Sequence, residues 1–103
     1  MIRSYFNAVA EKINKKTGID GFGKPEVDTI AEFAGCRKIE STKLVRNDKG
    51  NEVVSSIEVW LSPEFEKLPP ESNIVFDGEE KIVIKSGYVA GFETNLFLRV
   101  YLK

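Results

Sequence analysis

The sequence predicts a small, mainly β protein, an antiparallel barrel of five or six short strands with an amphipathic helix at its N-terminus. Three observations carry that reading. Apolar and polar residues alternate with period two over residues 53–61 and again over 96–103. Clusters of Asn, Asp and Gly separate such stretches at hairpin spacing. Only residues 2–16 show apolar residues at spacings of three and four.

Ile2, Tyr5, Phe6, Val9 and Ile13 form that stripe, while Glu11, Lys12, Lys15 and Lys16 fall largely on the opposite side. Ser4 is placed to cap the helix, Lys15 and Lys16 suit the negative end of its dipole, and Gly18 is placed to stop it. A helix this short is marginal alone, so its stripe must dock on its own barrel or on a neighbouring subunit. Residues 17–27 hold Gly18, Gly21, Gly23 and Pro25 and read as a loop, with Ile19 and Phe22 as anchors for the loop or contacts for a partner. The division expected is therefore residues 1–27, helix and Gly-rich loop, and residues 28–103, the barrel.

Residues 29–39 read as a weak strand broken near Gly35. Lys43 to Arg46 and Glu52 to Leu61 flank Asn47-Asp48-Lys49-Gly50-Asn51, whose composition suits a hairpin turn. On the second arm Val53, Ser55, Ile57, Val59 and Leu61 share one face, and Val54, Ser56, Glu58 and Trp60 the other. The prolines at 63, 69 and 70 lack donors and end the ladder. A short helical turn from Pro63 to Leu68 would point Phe65 and Leu68 inward. Asn73 to Phe76 makes a short strand, Asp77-Gly78 a tight turn, Lys81 to Lys85 another strand, and Ser86 to Gly91 a further loop. In the last strand Leu96, Leu98, Val100 and Leu102 alternate with Phe97, Arg99, Tyr101 and Lys103. Closing these strands into an SH3/OB-like barrel hides the edges that an open sheet would expose.

The chemistry of the chain is sparse. There is no His, which removes the commonest general base and metal ligand near neutral pH. Cys36 has no imidazole partner, and beside Ala34 and Gly35 it reads as a packed residue. A lone cysteine permits no intrachain disulfide and suits a reducing compartment. The acidic pairs Glu64/Glu66, Glu79/Glu80 and Asp48/Glu52 lie beside turns or prolines and read as solvated. Asp77-Gly78-Glu79-Glu80 offers too few oxygens for a cation loop, and Gly21-Phe22-Gly23 follows the wrong element for a dinucleotide loop. Nothing reads as a signal peptide or a membrane span. Fifteen bases against sixteen acids leave a net charge of -1, with no electrostatic footprint for a phosphate backbone. Residues 1–27 are slightly basic and the remainder slightly acidic. The sequence thus predicts neither catalysis, nor a cofactor, nor a bound metal.

Four stretches, taken in order, carry a resemblance. They are Thr42-Lys43-Leu44-Val45-Arg46-Asn47-Asp48-Lys49-Gly50-Asn51-Glu52-Val53-Val54-Ser55-Ser56, Trp60-Leu61-Ser62-Pro63, Asn73-Ile74-Val75-Phe76-Asp77-Gly78 and Leu98-Arg99-Val100-Tyr101-Leu102. In order and spacing they resemble the head–tail joining proteins of tailed bacteriophages and prophages, the minor capsid or head-completion ("stopper") proteins. The resemblance covers roughly residues 28–103 and leaves the N-terminal segment unmatched. It implies a ring that closes the filled capsid and accepts the tail, with portal or adaptor proteins on one side and tail proteins on the other. It implies a place in the virion, and in the bacterial host cytoplasm during assembly. It also implies a homo-oligomeric ring from a chain that can be monomeric alone, no membrane and only passive contact with DNA. Asn47 to Asn51 would then be the tip of a long hairpin, and Pro63 to Pro70 a connection between ring subunits. The unmatched N-terminus leaves a tail-completion or adaptor role open.

The interface residues expected are Phe22, Asn47, Asp48, Lys49, Gly50, Asn51, Phe65, Phe97, Arg99 and Tyr101. A competing reading is a small OB/SH3-like module for a peptide or single-stranded nucleic acid. It requires the face holding Phe97, Arg99 and Tyr101 to be open, basic and concave.

Overall fold

The computed structural model describes residues 6–47, 49–91 and 95–103. Six strands form one antiparallel sheet: β1 (Ala8–Ile19), β2 (Pro25–Arg46), β3 (Glu52–Leu61), β4 (Asn73–Phe76), β5 (Glu79–Ala90) and β6 (Asn95–Leu102). Their order, β1-β2-β3-β6-β5-β4, closes on itself because β4 also pairs with β1. Two long strands turn the corners. The first part of β2 pairs with β1 and its second part, from Arg37, with β3. Likewise β5 pairs first with β4 and then, from Val83, with β6. One half of the molecule is thus β1, β4 and the leading ends of β2 and β5, and the other half is β3, β6 and their trailing ends.

No helix occurs among the described residues, so the N-terminal helix is corrected to strand β1. Ile2, Ser4 and Tyr5, part of that expected helix, lie outside the described residues. The cause of the false periodicity is visible. Ala10 and Ile13 are both fully buried, whereas Val9 and Lys12 are exposed. The inside–outside alternation changes phase between Ala10 and Ile13, opposite Phe33, whose φ of 52° departs from the extended backbone of the partner strand. Two buried residues three apart imitate a helical face, but they arise from two strand segments in different phase.

Gly18, the expected helix stop, lies within β1, and the expected loop at 17–27 is largely strand around a tight turn. Residue 28, where the barrel was expected to begin, falls inside β2. The break expected at Gly35 is absent, since β2 runs continuously through it. Gly35 serves packing instead: a Cβ there would sit 3.1 Å from the Phe6 ring. Ser86 to Ala90 is not a loop but the second part of β5, which gains its hydrogen bonds from β6. Ser62 to Phe65 makes one turn, with the Phe65 N–H donating to the Ser62 carbonyl, and no helix follows.

The period-two expectations hold on β3 and β6. Ile57, Val59 and Leu61 meet Leu98, Val100 and Leu102 inside, with Ala10, Ile13, Cys36, Leu68, Ile74, Phe76 and Val83 completing the core. Leu96 departs from its strand's inward set and is half exposed. Each fully buried Leu or Ile stabilises the fold by about 1.5–3 kcal/mol. The proline-rich segment packs through Leu68, which is 1% exposed, and through half-buried Phe65. It is tied to β5: Ser86 Oγ bridges the Leu68 N–H and C=O, and the Tyr88 hydroxyl donates to the Phe65 carbonyl at 2.6 Å. At the β1–β4 seam, Thr29 donates to Asn14 Oδ1 and Asn14 donates to Asn73 Oδ1, linking three strands. Asp77 and Gly78 form the expected tight turn, both with positive φ, between Phe76 and Glu79.

Candidate interaction surfaces

The β1–β2 hairpin outruns the closed part of the sheet. Pairing of β1 with β4 ends at Asn14, while its pairing with β2 continues to Ile19 and Pro25. All residues from 21 to 30 are exposed, and the molecule measures 43 × 29 × 26 Å, long in one direction. The tip is ordered by one carboxylate. Asp20 Oδ1 accepts from the N–H groups of Phe22 and Lys24, and the Gly23 N–H donates to the Asp20 carbonyl. Gly23 supplies the required φ of 81°. Phe22 is thereby held outward at the tip, 92% exposed. Ile19, Val27, Ile30 and Phe33 extend the exposed apolar surface down the hairpin. Over residues 8–33 Glu11, Asp20, Glu26, Asp28 and Glu32 stand against Lys12, Lys15, Lys16 and Lys24, and the register sets Lys12 opposite Glu32 and Lys15 opposite Asp28.

The β2–β3 turn uses the same bonding. Asn47 Oδ1 accepts from the N–H groups of Lys49 and Asn51, the Gly50 N–H donates to the Asn47 carbonyl, and Gly50 has φ 83°. Asn47 is half buried, whereas Lys49, Gly50 and Asn51 are exposed; Asp48 lies outside the described residues. Asn47 and Lys49 also flank an open groove of about 350 Å³ running to Pro70, Ile82 and Lys103.

A second surface is the outer face of the β2–β3–β6–β5 half. Cross-strand register sets Arg37, Trp60, Arg99 and Gly87 in one row and Ile39, Glu58, Tyr101 and Lys85 in the next. Phe97 stacks on Trp60 with ring centroids 4.3 Å apart. Arg99 and Lys85 lie over the Tyr101 ring at 5.6 and 6.0 Å. Glu58 is 4% exposed and is the one buried carboxylate among the described residues. Its oxygens accept from Lys43 Nζ at 2.7 Å and from Trp60 Nε1 at 2.6 Å. Burial pushes its pKa up, but these two hydrogen bonds and the charges of Lys43 and Arg99 outweigh it and hold the carboxyl below its ordinary value. The Lys43 ammonium is correspondingly raised, first by its hydrogen bond to Glu58. Glu58 is thus a fixed anion that orients Trp60, and the charged and aromatic groups around it are Arg37, Lys43, Lys85, Arg99, Trp60, Phe97 and Tyr101, with Ile39 and Gly87 between them.

Phe97, Arg99 and Tyr101 are therefore brought together, on the open face that the competing reading names. Phe22 lies apart from them on the hairpin, and Phe65 is a packing residue. The sequence reading missed Lys43, Glu58, Trp60 and Lys85 as members of the face. The shared period of Glu58 and Trp60 was a usable signal, but their alignment with β6 required the register. Cys36 is fully buried, and burial pushes its thiol up to about 11, leaving it protonated at neutral pH. Glu52, Glu64, Glu66, Glu79 and Glu80 are exposed, and Glu52, Glu66 and Glu79 pair with Arg46, Lys15 and Lys81. No group of three or more metal-ligating side chains occurs among the described residues. Comparison with known protein families, with curated proteins and with solved structures finds no match to this chain.

Proposed function

We propose that this protein is a non-enzymatic structural subunit of a phage or prophage head–tail connector, an SH3/OB-like barrel forming part of a ring that closes the capsid and accepts the tail. The observation that carries the reading is the β1–β2 hairpin, which runs past the end of β4 and exposes Ile19, Phe22 and Val27 on its projecting part. A ring subunit needs a stiff body and an element that reaches its neighbours, and apolar surface of this kind is characteristic of interaction sites. The ordered sequence resemblance over residues 28–103 supports the same reading. So does a net charge of -1, since DNA slides more freely past a protein that does not grip phosphate.

The test is loss and restoration of particle joining. Disrupting the gene in its phage or prophage is expected to leave filled heads and free tails. Adding the purified protein should restore joined particles. Normal tailed particles from the disrupted strain overturn the reading.

The outer face with Trp60, Phe97, Arg99 and Tyr101 favours the second reading, a module for single-stranded nucleic acid. Quenching of Trp60 fluorescence by an oligonucleotide, weakening steeply with salt, is its expected signature. Unchanged fluorescence at low salt rejects it.

A further inference from the structure

We infer that the outer face of β5 and β6 binds an extended acidic segment of a partner protein, with carboxylates on alternate residues meeting Lys85 and Arg99. The inference goes beyond the connector reading, because it concerns the chemistry of one face in whatever assembly the chain joins.

This half of the sheet carries a surplus of cations. β2 from Arg37, β3, β5 from Val83 and β6 hold Arg37, Lys38, Lys43, Arg46, Lys85 and Arg99 against Glu40, Glu52 and Glu58. Each of these carboxylates is already paired, Glu40 with Lys38, Glu52 with Arg46 and Glu58 with Lys43. None of the three takes Lys85 or Arg99 as its partner. Both Glu58 oxygens, the nearest acidic atoms on the face, are occupied by Lys43 and Trp60. Glu93 lies outside the described residues. The proline-rich segment beside β5 does not reverse the balance. Its Lys67 lies over the Tyr88 ring at 5.8 Å, while Glu66 and Glu71 reach back to Lys15 and Lys16 of β1 and Glu64 accepts from Ser62.

Register fixes where the two cations stand. Lys85 is opposite Tyr101 and Gly87 is opposite Arg99, so Lys85 and Arg99 are diagonal neighbours on adjacent strands. Such neighbours lie about 7–8 Å apart. Side chains at i and i+2 of an extended chain stand about 6.4–6.8 Å apart on one side, which matches the pair. Between the cations Gly87 contributes no side chain, and a Cβ built there would meet nothing within 4 Å. The result is a shallow groove of about 230 Å³ lined by Lys85, Ser86, Gly87, Tyr88, Arg99 and Tyr101.

The rings favour a polypeptide over a nucleic acid. Bases need free ring faces on which to stack. Here Trp60 and Phe97 stack on each other, and Lys85 and Arg99 both lie over Tyr101. The cations are thus the groups left for contact, and the Trp60–Phe97 pair offers apolar surface to a flanking side chain. The whole chain, at net charge -1, gives a long polyanion no general attraction. A short acidic segment instead feels the local surplus within a Debye length of about 8 Å.

A titration of the full chain at low salt, followed by backbone-amide NMR, tests the inference. The probe is a short peptide of alternating Gly and Glu. Amides of residues 85–88 and 97–101 and the indole N–H of Trp60 are expected to shift together. Lys85→Glu or Arg99→Glu should weaken binding at least about tenfold, and the milder Arg99→Gln should weaken it less. Combining Lys85→Glu with Arg99→Glu should transfer the preference to a peptide of alternating Gly and Lys. Arg99 is exposed and Lys85 partly so, and well-dispersed spectra check that each variant keeps the fold. No shift at millimolar peptide overturns the inference, as does binding that these substitutions leave unchanged. Tighter binding of an oligothymidylate of equal charge at the same amides also overturns it and assigns the face to nucleic acid. Shifts of these amides with protein concentration alone overturn it in favour of contact between copies. Particle joining is read from a separate experiment, so failure here leaves the connector reading standing.

Discussion

The two hairpin turns at Asp20 and Asn47 share one design and have opposite fates. Each uses a side-chain oxygen to hold the N–H groups two and four residues ahead, and each needs a positive-φ Gly at the fourth position. The strands leaving the second turn bury Val45, Ser55, Ile57 and Val59. Those leaving the first keep Ile19, Val27 and Ile30 exposed. Turn chemistry is thus local and repeatable. Whether its arms become core or protruding surface depends on whether a third strand lies across them.

The strongest test of this difference is truncation on each arm. Ile57→Ala should cost about 2–4 kcal/mol in urea unfolding, because it leaves a cavity in a closed core. Ile30→Ala should stay within about 0.5 kcal/mol, as expected for a surface position. Equal losses would mean that the first hairpin is packed after all.

Next come the glycines. Gly50→Val forces a branched residue to φ 83° and should lower global stability by about 1–2 kcal/mol. Gly23→Val meets a similar φ of 81°, but its effect should remain local. Hydrogen exchange near residues 19–25 should accelerate while the unfolding midpoint holds.

A smaller contrast concerns the turn side chains. Asn47→Ala should shift the unfolding midpoint by about 1 kcal/mol through its two lost hydrogen bonds. Asp20→Ala should change only exchange at the tip. A midpoint shift of the same size for both would show that the first hairpin unfolds together with the body.

The smallest effect at neutral pH lies at Cys36, where β2 passes from one half of the sheet to the other. Its folded pKa, about 11, exceeds the ordinary 9.0, so the native state holds the thiol proton more tightly. That contribution is intact below about pH 9 and is lost as pH rises through about 11. Alkaline unfolding curves should show this decline, and Cys36→Ala should flatten it.

Much of the fold was legible wherever one strand carried one uninterrupted phase. Residues 53–61 and 98–102 alternate because each has one face on the core, and the dipeptide Asp77-Gly78 and the pentapeptide from Asn47 encode their turns in their own side chains. The N-terminal segment was misread because Ala10 and Ile13 belong to two phases of an irregular strand. β5 was cut short because Ser86, Gly87 and Tyr88 look loop-like until β6 supplies their partners. The outer aromatic face was legible only in part, since alternation placed Phe97, Arg99 and Tyr101 together but could not bring them to Trp60 and Glu58.

By itself, then, the order of residues set the local terms: which turns form, which strand faces are apolar, and that the lone thiol sits among small neighbours. Tertiary structure decided what lies beside what, because pairing partners and register depend on contacts between residues distant in the chain. It is the reach of β1 and β2 past the end of β4 that turns one hairpin into an exposed arm, and no local pattern records where a neighbouring strand stops.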